Sequence, residues 1–301
     1  MDVVLTIPAP GELHAVAAHL DAWQTDRGPV HLHPGDLGWY SMRGAERTAA
    51  DLRVWSRHGR PVAVGLLDGP DGLLRLALDP DAREDQDVAE AIADDVVDAD
   101  RDVLPGGEAV VEARGATLLA QALRARGWQD DEPWTPLHRD LAEAVTDTRA
   151  SGSGVRVEVA GADLAHAWTA VHWSAFRGSP LSESRHREVV DWWRTMTDGP
   201  FAERGRTLVA LDADDAAVAV AGVWSAGTGR PGLVEPMGVH RDHRGKGHGA
   251  AVCVAAAAAL RELGSSSAVV CAETSNVGAV STYVAAGFVA GAPVTDLRRG
   301  S

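Results

Sequence analysis

The sequence predicts an α/β protein with mixed sheets, made of two tandem copies of one module, and three observations carry that reading. Setting Gly127-Trp128 on Gly287-Phe288, 160 positions apart, brings Pro133 onto Pro293, Thr135 onto Thr295, Leu137 onto Leu297 and Arg139 onto Arg299 without a gap. Short apolar runs alternate with longer helical patterns through both halves, as expected of a sheet covered by helices. Near the end of the second half, an apolar strand runs through a glycine-rich turn into an alanine-rich helix, a unit that presents backbone N–H groups to an anion.

The elements follow in order. In the first half, the apolar runs 52–56, 61–67, 73–78 and 109–113 read as strands, and 117–126, ended by Gly127, reads as a helix. The second half begins with a strand at 155–159 and helices at 163–176 and 183–196. Strands at 208–211, 217–224 and 233–239 come next, matching the first three strands of the first half. A helix over 247–263, a strand over 267–274, a helix opened by Asn276 and a last strand reaching Arg298 complete it. Residues 142–154, small and polar with a Ser-Gly-Ser-Gly run, read as a linker. The expected organisation is therefore a module over 1–141, the linker and a second module over 155–301, in keeping with ~150 residues per domain.

Composition narrows the function classes. The chain carries a net charge of −15, which argues against nucleic acid as a partner. No apolar run approaches the ~18 residues of a membrane span and no charged-then-apolar leader opens the chain, so a cytoplasmic protein with no membrane partner is expected. The two cysteines, Cys253 and Cys271, lack metal or redox spacing and read as buried apolar fillers. His31-Leu32-His33 reads as loop surface, and no metal site is expected.

Residues 239–250, Val-His-Arg-Asp-His-Arg-Gly-Lys-Gly-His-Gly-Ala, hold the chemistry. A nucleoside triphosphate loop needs Gly-Lys followed by Ser or Thr, whereas Lys246, the only lysine in the chain, precedes Gly247. A dinucleotide loop needs Gly-x-Gly-x-x-Gly, whereas glycines stand at 245, 247 and 249. The spacing Arg244-x-x-Gly247-x-Gly249 after a strand and before a helix is instead that of the coenzyme A loop of the GCN5-related N-acetyltransferase (GNAT) superfamily, which this segment resembles. The closing landmarks of that superfamily follow in register: the strand before Thr274, Asn276, Tyr283 seven residues on, and Gly287-Phe288.

The resemblance implies acetyl-coenzyme A, or coenzyme A, as co-substrate and a primary amine as acceptor. It implies that Arg244, Gly245, Lys246, Gly247, His248, Gly249 and Ala250 hold the pyrophosphate, that Met237 and Val239 bond the pantetheine arm, and that Asn276 also binds the cofactor. The Val239 N–H would polarise the thioester carbonyl, and Tyr283 would protonate the departing thiolate. Glu235 is the candidate base, because 233, 235, 237 and 239 share one strand face that should look at the thioester; pairing with a neighbouring Arg, with water serving as base, is the rival reading. His172, Trp173, Phe176, Trp192 and Trp193 on the first two helices, with Trp224 nearby, are candidates for an aromatic acceptor pocket, although tryptophans at helical spacing also suit a core.

The first copy has lost these features. Arg83-Glu-Asp-Gln-Asp-Val88 stands where the loop should be, Ala116 replaces Asn276 and Leu123 replaces Tyr283. Residues 1–150 hold 28 Asp plus Glu against 14 Arg, net −14, while the remainder is near neutral, which favours a cationic small-molecule amine. A silent first copy beside an intact second one resembles, as an arrangement, the two-module acetyltransferases of the mycothiol synthase type. Two other classes stay open: a coenzyme A-binding sensor without turnover, and a partner-binding module. Oligomeric state is not legible.

Overall fold

The computed structural model describes residues 3–69, 72–145 and 154–300. The first half folds as β1 (Val4–Thr6), α1 (Leu13–Trp23), α2 (Pro34–Tyr40), α3 (Ala45–Ala50), β2 (Leu52–Arg57), β3 (Arg60–Asp68), β4 (Leu73–Leu78), α4 (Gln86–Val97), β5 (Ala109–Glu112), α5 (Thr117–Ala125) and β6 (Gln129–Asp140). The second half follows the same order with two helices in place of three after its first strand and a split last strand: β7 (Arg156–Val159), α6 (Ala165–Phe176), α7 (Glu183–Thr197), β8 (Gly205–Leu211), β9 (Ala217–Ser225), β10 (Pro231–Val239), α8 (His248–Glu262), β11 (Ser267–Glu273), α9 (Val277–Ala285), β12 (Val289–Ala290) and β13 (Val294–Arg299). Most of the expected linker, 146–153, lies outside the described residues.

Among the described residues the strands join into one mixed sheet of thirteen, ordered β1-β2-β3-β4-β5-β13-β6-β11-β10-β9-β8-β7, with β12 beside β6. Two parallel pairs interrupt its otherwise antiparallel pairing. β10 meets β11 over residues 231–233 and 267–269, and β4 meets β5 over 73–75 and 110–112; beyond those three rungs the strands part. Each half therefore contains one splayed gap at the same place in the repeat.

The halves exchange their last strands. Residues 134–140 of β6 pair with β11 of the second half, and β13 at the end of the chain pairs with β5 of the first. The exchange is symmetric. β6 and β13 cross at Trp134 paired with Val294, two positions 160 apart and so equivalent in the repeat. Side chains follow the strands: Leu137 is buried in the core that holds Val270, Tyr283 and Phe288, and its counterpart Leu297 is buried with Val111, Leu119 and Trp128. A third core between the halves packs Leu20 and Leu37 against Trp168, Trp193 and Trp224. That approach needs glycine, because a Cβ at Gly38 would stand 2.4 Å from the Trp224 ring.

The gap of the first half is closed by its own chain. Leu32, fully buried, donates its N–H to the Leu76 carbonyl at 3.3 Å, and Pro29 lies where a Cβ on Gly115 (φ 76°) would come within 2.4 Å. The segment read as loop surface is thus a plug: His31 and His33 are buried, carried inward by Leu32. His33 is held by the Pro231 carbonyl at 3.1 Å and by the Gly35 N–H at 2.8 Å. At the start of α4, the Asp85 carboxylate accepts the Val88 N–H at 3.1 Å, occupying a donor that an anion would use.

The exchange predicts cross-over effects of mutation. Leu137→Ala and Leu297→Ala should each cost about 2–5 kcal/mol, the usual range for a buried leucine, within a single urea transition. Hydrogen exchange in Leu297→Ala should accelerate at β5 and α5. Acceleration confined to the second half would contradict the exchange.

Candidate active site

The gap between β10 and β11 opens past Leu233 and Val269. The register of β10 against β9 shifts between Val234 and Met237, so Glu235 and Pro236 bulge from the ladder. Gly222 lies beneath the bulge, where a Cβ would stand 2.4 Å from the Glu235 carbonyl oxygen, and Trp224 Nε1–H donates to that oxygen at 2.8 Å. Past the bulge, His240 N–H bonds the Val218 carbonyl at 2.9 Å. Strand alternation then turns the N–H groups of Met237 and Val239 away from β9 and into the gap.

The loop at the gap's mouth fits a pyrophosphate. Gly245 (φ 77°) and Gly247 (φ 85°) adopt left-handed conformations that a side chain would strain. Ala251 N–H bonds the Gly247 carbonyl at 3.1 Å, so the first-turn N–H groups of His248, Gly249 and Ala250 precede the helix ladder. The first turn of α8 carries no acidic residue. Gly249 touches α9: a Cβ would meet Thr282 at 2.9 Å. Arg241 and Arg244 lean on the last turn of α6, donating to the carbonyls of Ser174 (3.4 Å) and Ala175 (3.0 Å), while Lys246 is exposed. His248 is buried at the helix start.

Behind the loop lies a cleft of about 360 Å³, lined from the second half by Glu235, Met237, Asn276 and Tyr283 and from the first by Asp36, Arg75, Glu112 and Arg114. Asn276 Oδ1 accepts the Ala279 N–H at 3.1 Å and so caps α9 at the cleft wall. Tyr283 packs edge-on to Phe288 with centroids 5.5 Å apart. Burial, reinforced by the nearby Cys253 and Glu235, holds its phenol well above the usual range, so it stays protonated.

Glu235 stands in a charged cluster. Arg75 Nε reaches Asp68 at 2.9 Å, and its Nη1 lies 3.4 Å from Asp36 and 4.0 Å from Glu112. Arg114 grips Asp296 through two bonds of 2.9 and 2.6 Å and stands 3.4 Å from Glu112. Burial pushes the Glu235 carboxyl up to about 7; Arg75 opposes this, and Asp36, Asp68 and Glu112 add to it. Asp36 rises to about 6 by burial, also against Arg75. Arg75 occupies the repeat position of Glu235, 160 residues earlier. The first copy thus places a guanidinium in the same cluster as the candidate base.

The aromatic candidates separate. Phe176 lines the cleft. His172, Trp173, Trp192 and Trp193 line a second pocket of about 260 Å³ with Trp39 and Tyr40. Trp224 is a core residue that braces the bulge. Cys271 is half-buried on the cleft wall, its thiol pushed up to about 11 by burial, rather than a buried filler; Cys253 is buried in the core. Asp36, Arg75, Glu112, Arg114 and Trp134 have no local signature: Trp134 reaches the cleft on the exchanged strand β6, and the others through the packing of the first half against the second.

Residues 165–288 match the Acetyltransferase (GNAT) family. Among solved structures, a tandem GNAT protein from the clavulanic acid biosynthesis pathway is similar over 99% of this chain and 98% of its own, with 17% identity and a TM-score of 0.63. A GNAT-family acetyltransferase from Colwellia psychrerythraea (16% identity, TM-score 0.59) covers 99% of this chain and 98% of its own. A GCN5-related N-acetyltransferase from Sphaerobacter thermophilus (16%, 0.57) covers 99% and 95%. At such identities the likeness speaks for the fold. No curated protein matches the chain. The chain thus has the fold of tandem GNAT proteins, and its residues 165–288 are similar to the acetyltransferase (GNAT) family.

Proposed function

We propose that the protein is an N-acetyltransferase that moves the acetyl group of acetyl-coenzyme A to a small cationic primary amine. One juxtaposition carries this reading: a carboxyl with proton affinity near neutrality, Glu235, and a phenol held protonated, Tyr283, line one cleft behind a loop fitted to a pyrophosphate.

The first-turn N–H groups of α8, with Arg244 and Lys246, would hold the pyrophosphate. The N–H groups of Met237 and Val239 would bond the pantetheine arm, and that of Val239 would draw charge from the acyl carbonyl. Coenzyme A supplies the activated acyl group and a thiolate that leaves. Glu235 takes a proton from the bound ammonium, the free amine forms the new C–N bond as the C–S bond breaks, Tyr283 gives the sulfur its proton, and the second proton shed by the acylated nitrogen restores the phenol. Five carboxylates, Asp36, Asp68, Glu112, Glu235 and Asp296, outnumber the two guanidiniums in the cluster, which favours a cation in the cleft. No helix among the described residues is long and apolar enough to cross a membrane, and two free thiols suit the reducing cytoplasm.

Calorimetry should find one coenzyme A site per chain, and Gly247→Glu should weaken it by about 2 kcal/mol or more; two equivalent sites would refute the assignment. Tyr283→Phe should lower kcat by ~10²-fold or more with little change in affinity for acetyl-coenzyme A. Activity should fall as pH drops through about 7, where Glu235 gains its proton, and Glu235→Gln should remove that limb. Arg75→Met takes away the opposing positive charge, so the limb should move to higher pH. A pH profile unchanged in both variants would give the base role to another group.

A further inference from the structure

A chamber of about 300 Å³ adjoins the cleft at the closed end of the splay, and the two spaces share Val30, His31, Arg114 and Leu233. Apolar residues wall most of it, among them Leu137, Val269 and Val294. Its volume is about ten times that of a water molecule in the liquid. Polar groups interrupt the apolar lining, Asp26, Arg114 and three histidines among them, and two of those histidines have a buried ring nitrogen, His31 Nδ1 and His138 Nε2, without a partner among the described residues. Burial holds His31 down at about 3, so it is neutral and one ring nitrogen accepts hydrogen bonds.

Position along β10 distinguishes the possible occupants. The inward N–H groups of Val239 and Met237, the carboxyl of Glu235 on the bulge and the shared wall at Leu233 follow one another in that order. An amine nitrogen at Glu235 projects its substituent past Leu233 into the chamber. An acyl chain on the thioester would reach the same room only through the place the nitrogen needs.

We propose that this chamber seats the apolar body of the acceptor, which is then an amphipathic primary amine. Its ammonium lies among Asp36, Glu112 and Glu235, and an alkyl or aryl body lies behind it, against Leu137, Val269 and Val294. This rests on the acyl-transfer reading above and specifies the substrate class of that site.

The test uses the full chain, acetyl-coenzyme A and straight-chain primary amines from ethylamine to octylamine, read by thiol release. kcat/KM should rise about fourfold per added methylene, the worth of one buried CH₂, until the chamber is full. Ala290→Trp, at an exposed position on the chamber wall, should flatten that slope; circular dichroism checks that the variant is folded. A slope equally steep in the variant, or turnover independent of chain length, would overturn the chamber while leaving acyl transfer intact. A slope that appears instead when octanoyl-coenzyme A replaces acetyl-coenzyme A, with ethylamine as acceptor, would give the chamber to the acyl chain and overturn the proposal. Calorimetry with N,N-dimethyl alkylamines, tertiary amines that have no N–H to lose and so form no amide, separates the two readings. Chain-length-dependent binding that Ala290→Trp removes, without turnover of any primary amine, would sustain the chamber and reject the transferase.

Discussion

The buried ion pair between Arg114 and Asp296 is the fastening on which the rest depends. Its side chains are 5% and 2% exposed, and its two parallel bonds join the end of β5 to the last strand of the chain. Removing either partner would strand a charge in the interior, at a cost of about 3–5 kcal/mol. The pair lies where the two halves trade strands, so it holds β13 in the first half's sheet and thereby keeps β6 beside β11. The same guanidinium approaches Glu112 and lies 5.3 Å from the Trp134 ring. One residue therefore serves both the seam of the fold and the wall of the cleft.

That shared seam explains why a copy without cofactor features has a place in the molecule. Its gap is filled by residues 29–33, and Asp85 satisfies the donor an anion would claim. What the copy presents outward is a set of buried and half-buried charges, Asp36, Arg75, Glu112 and Arg114, aimed at the other half's gap. Pseudo-symmetry brings Arg75 into the cluster of its own repeat counterpart, Glu235. In a low-dielectric setting that pairing opposes the burial that raises the carboxyl, and so tunes a proton affinity near neutrality.

The Trp224 indole illustrates how core and site are coupled. It packs against the glycine face of α2 and donates to the Glu235 carbonyl, so the contact between the halves also fixes the bulge that presents Glu235. A residue read from sequence as an acceptor contact thus acts from beneath the strand, by holding backbone rather than substrate.

The sequence by itself determined whatever depends on neighbours along the chain. Strand periodicity, the positive-φ glycines at 245 and 247, the Asn276 cap, the repeat and the loss of the loop at residues 83–88 are all encoded within a few residues of where they act, because helix ends, turns and pleats are local structures. Only the tertiary structure decided which half completes which sheet, that His31 and His33 are buried in a plug, that the aromatic residues of α6 and α7 divide between two pockets, and that Asp36, Arg75, Glu112 and Arg114 meet Glu235. Sequence periodicity gives a strand's face but not its neighbour: β6 could have paired with β5 of its own half as well as with β11. The choice rests on side-chain burial and on ion pairs between residues as far apart as Arg114 and Asp296, 182 positions along the chain, a separation over which no local pattern carries information.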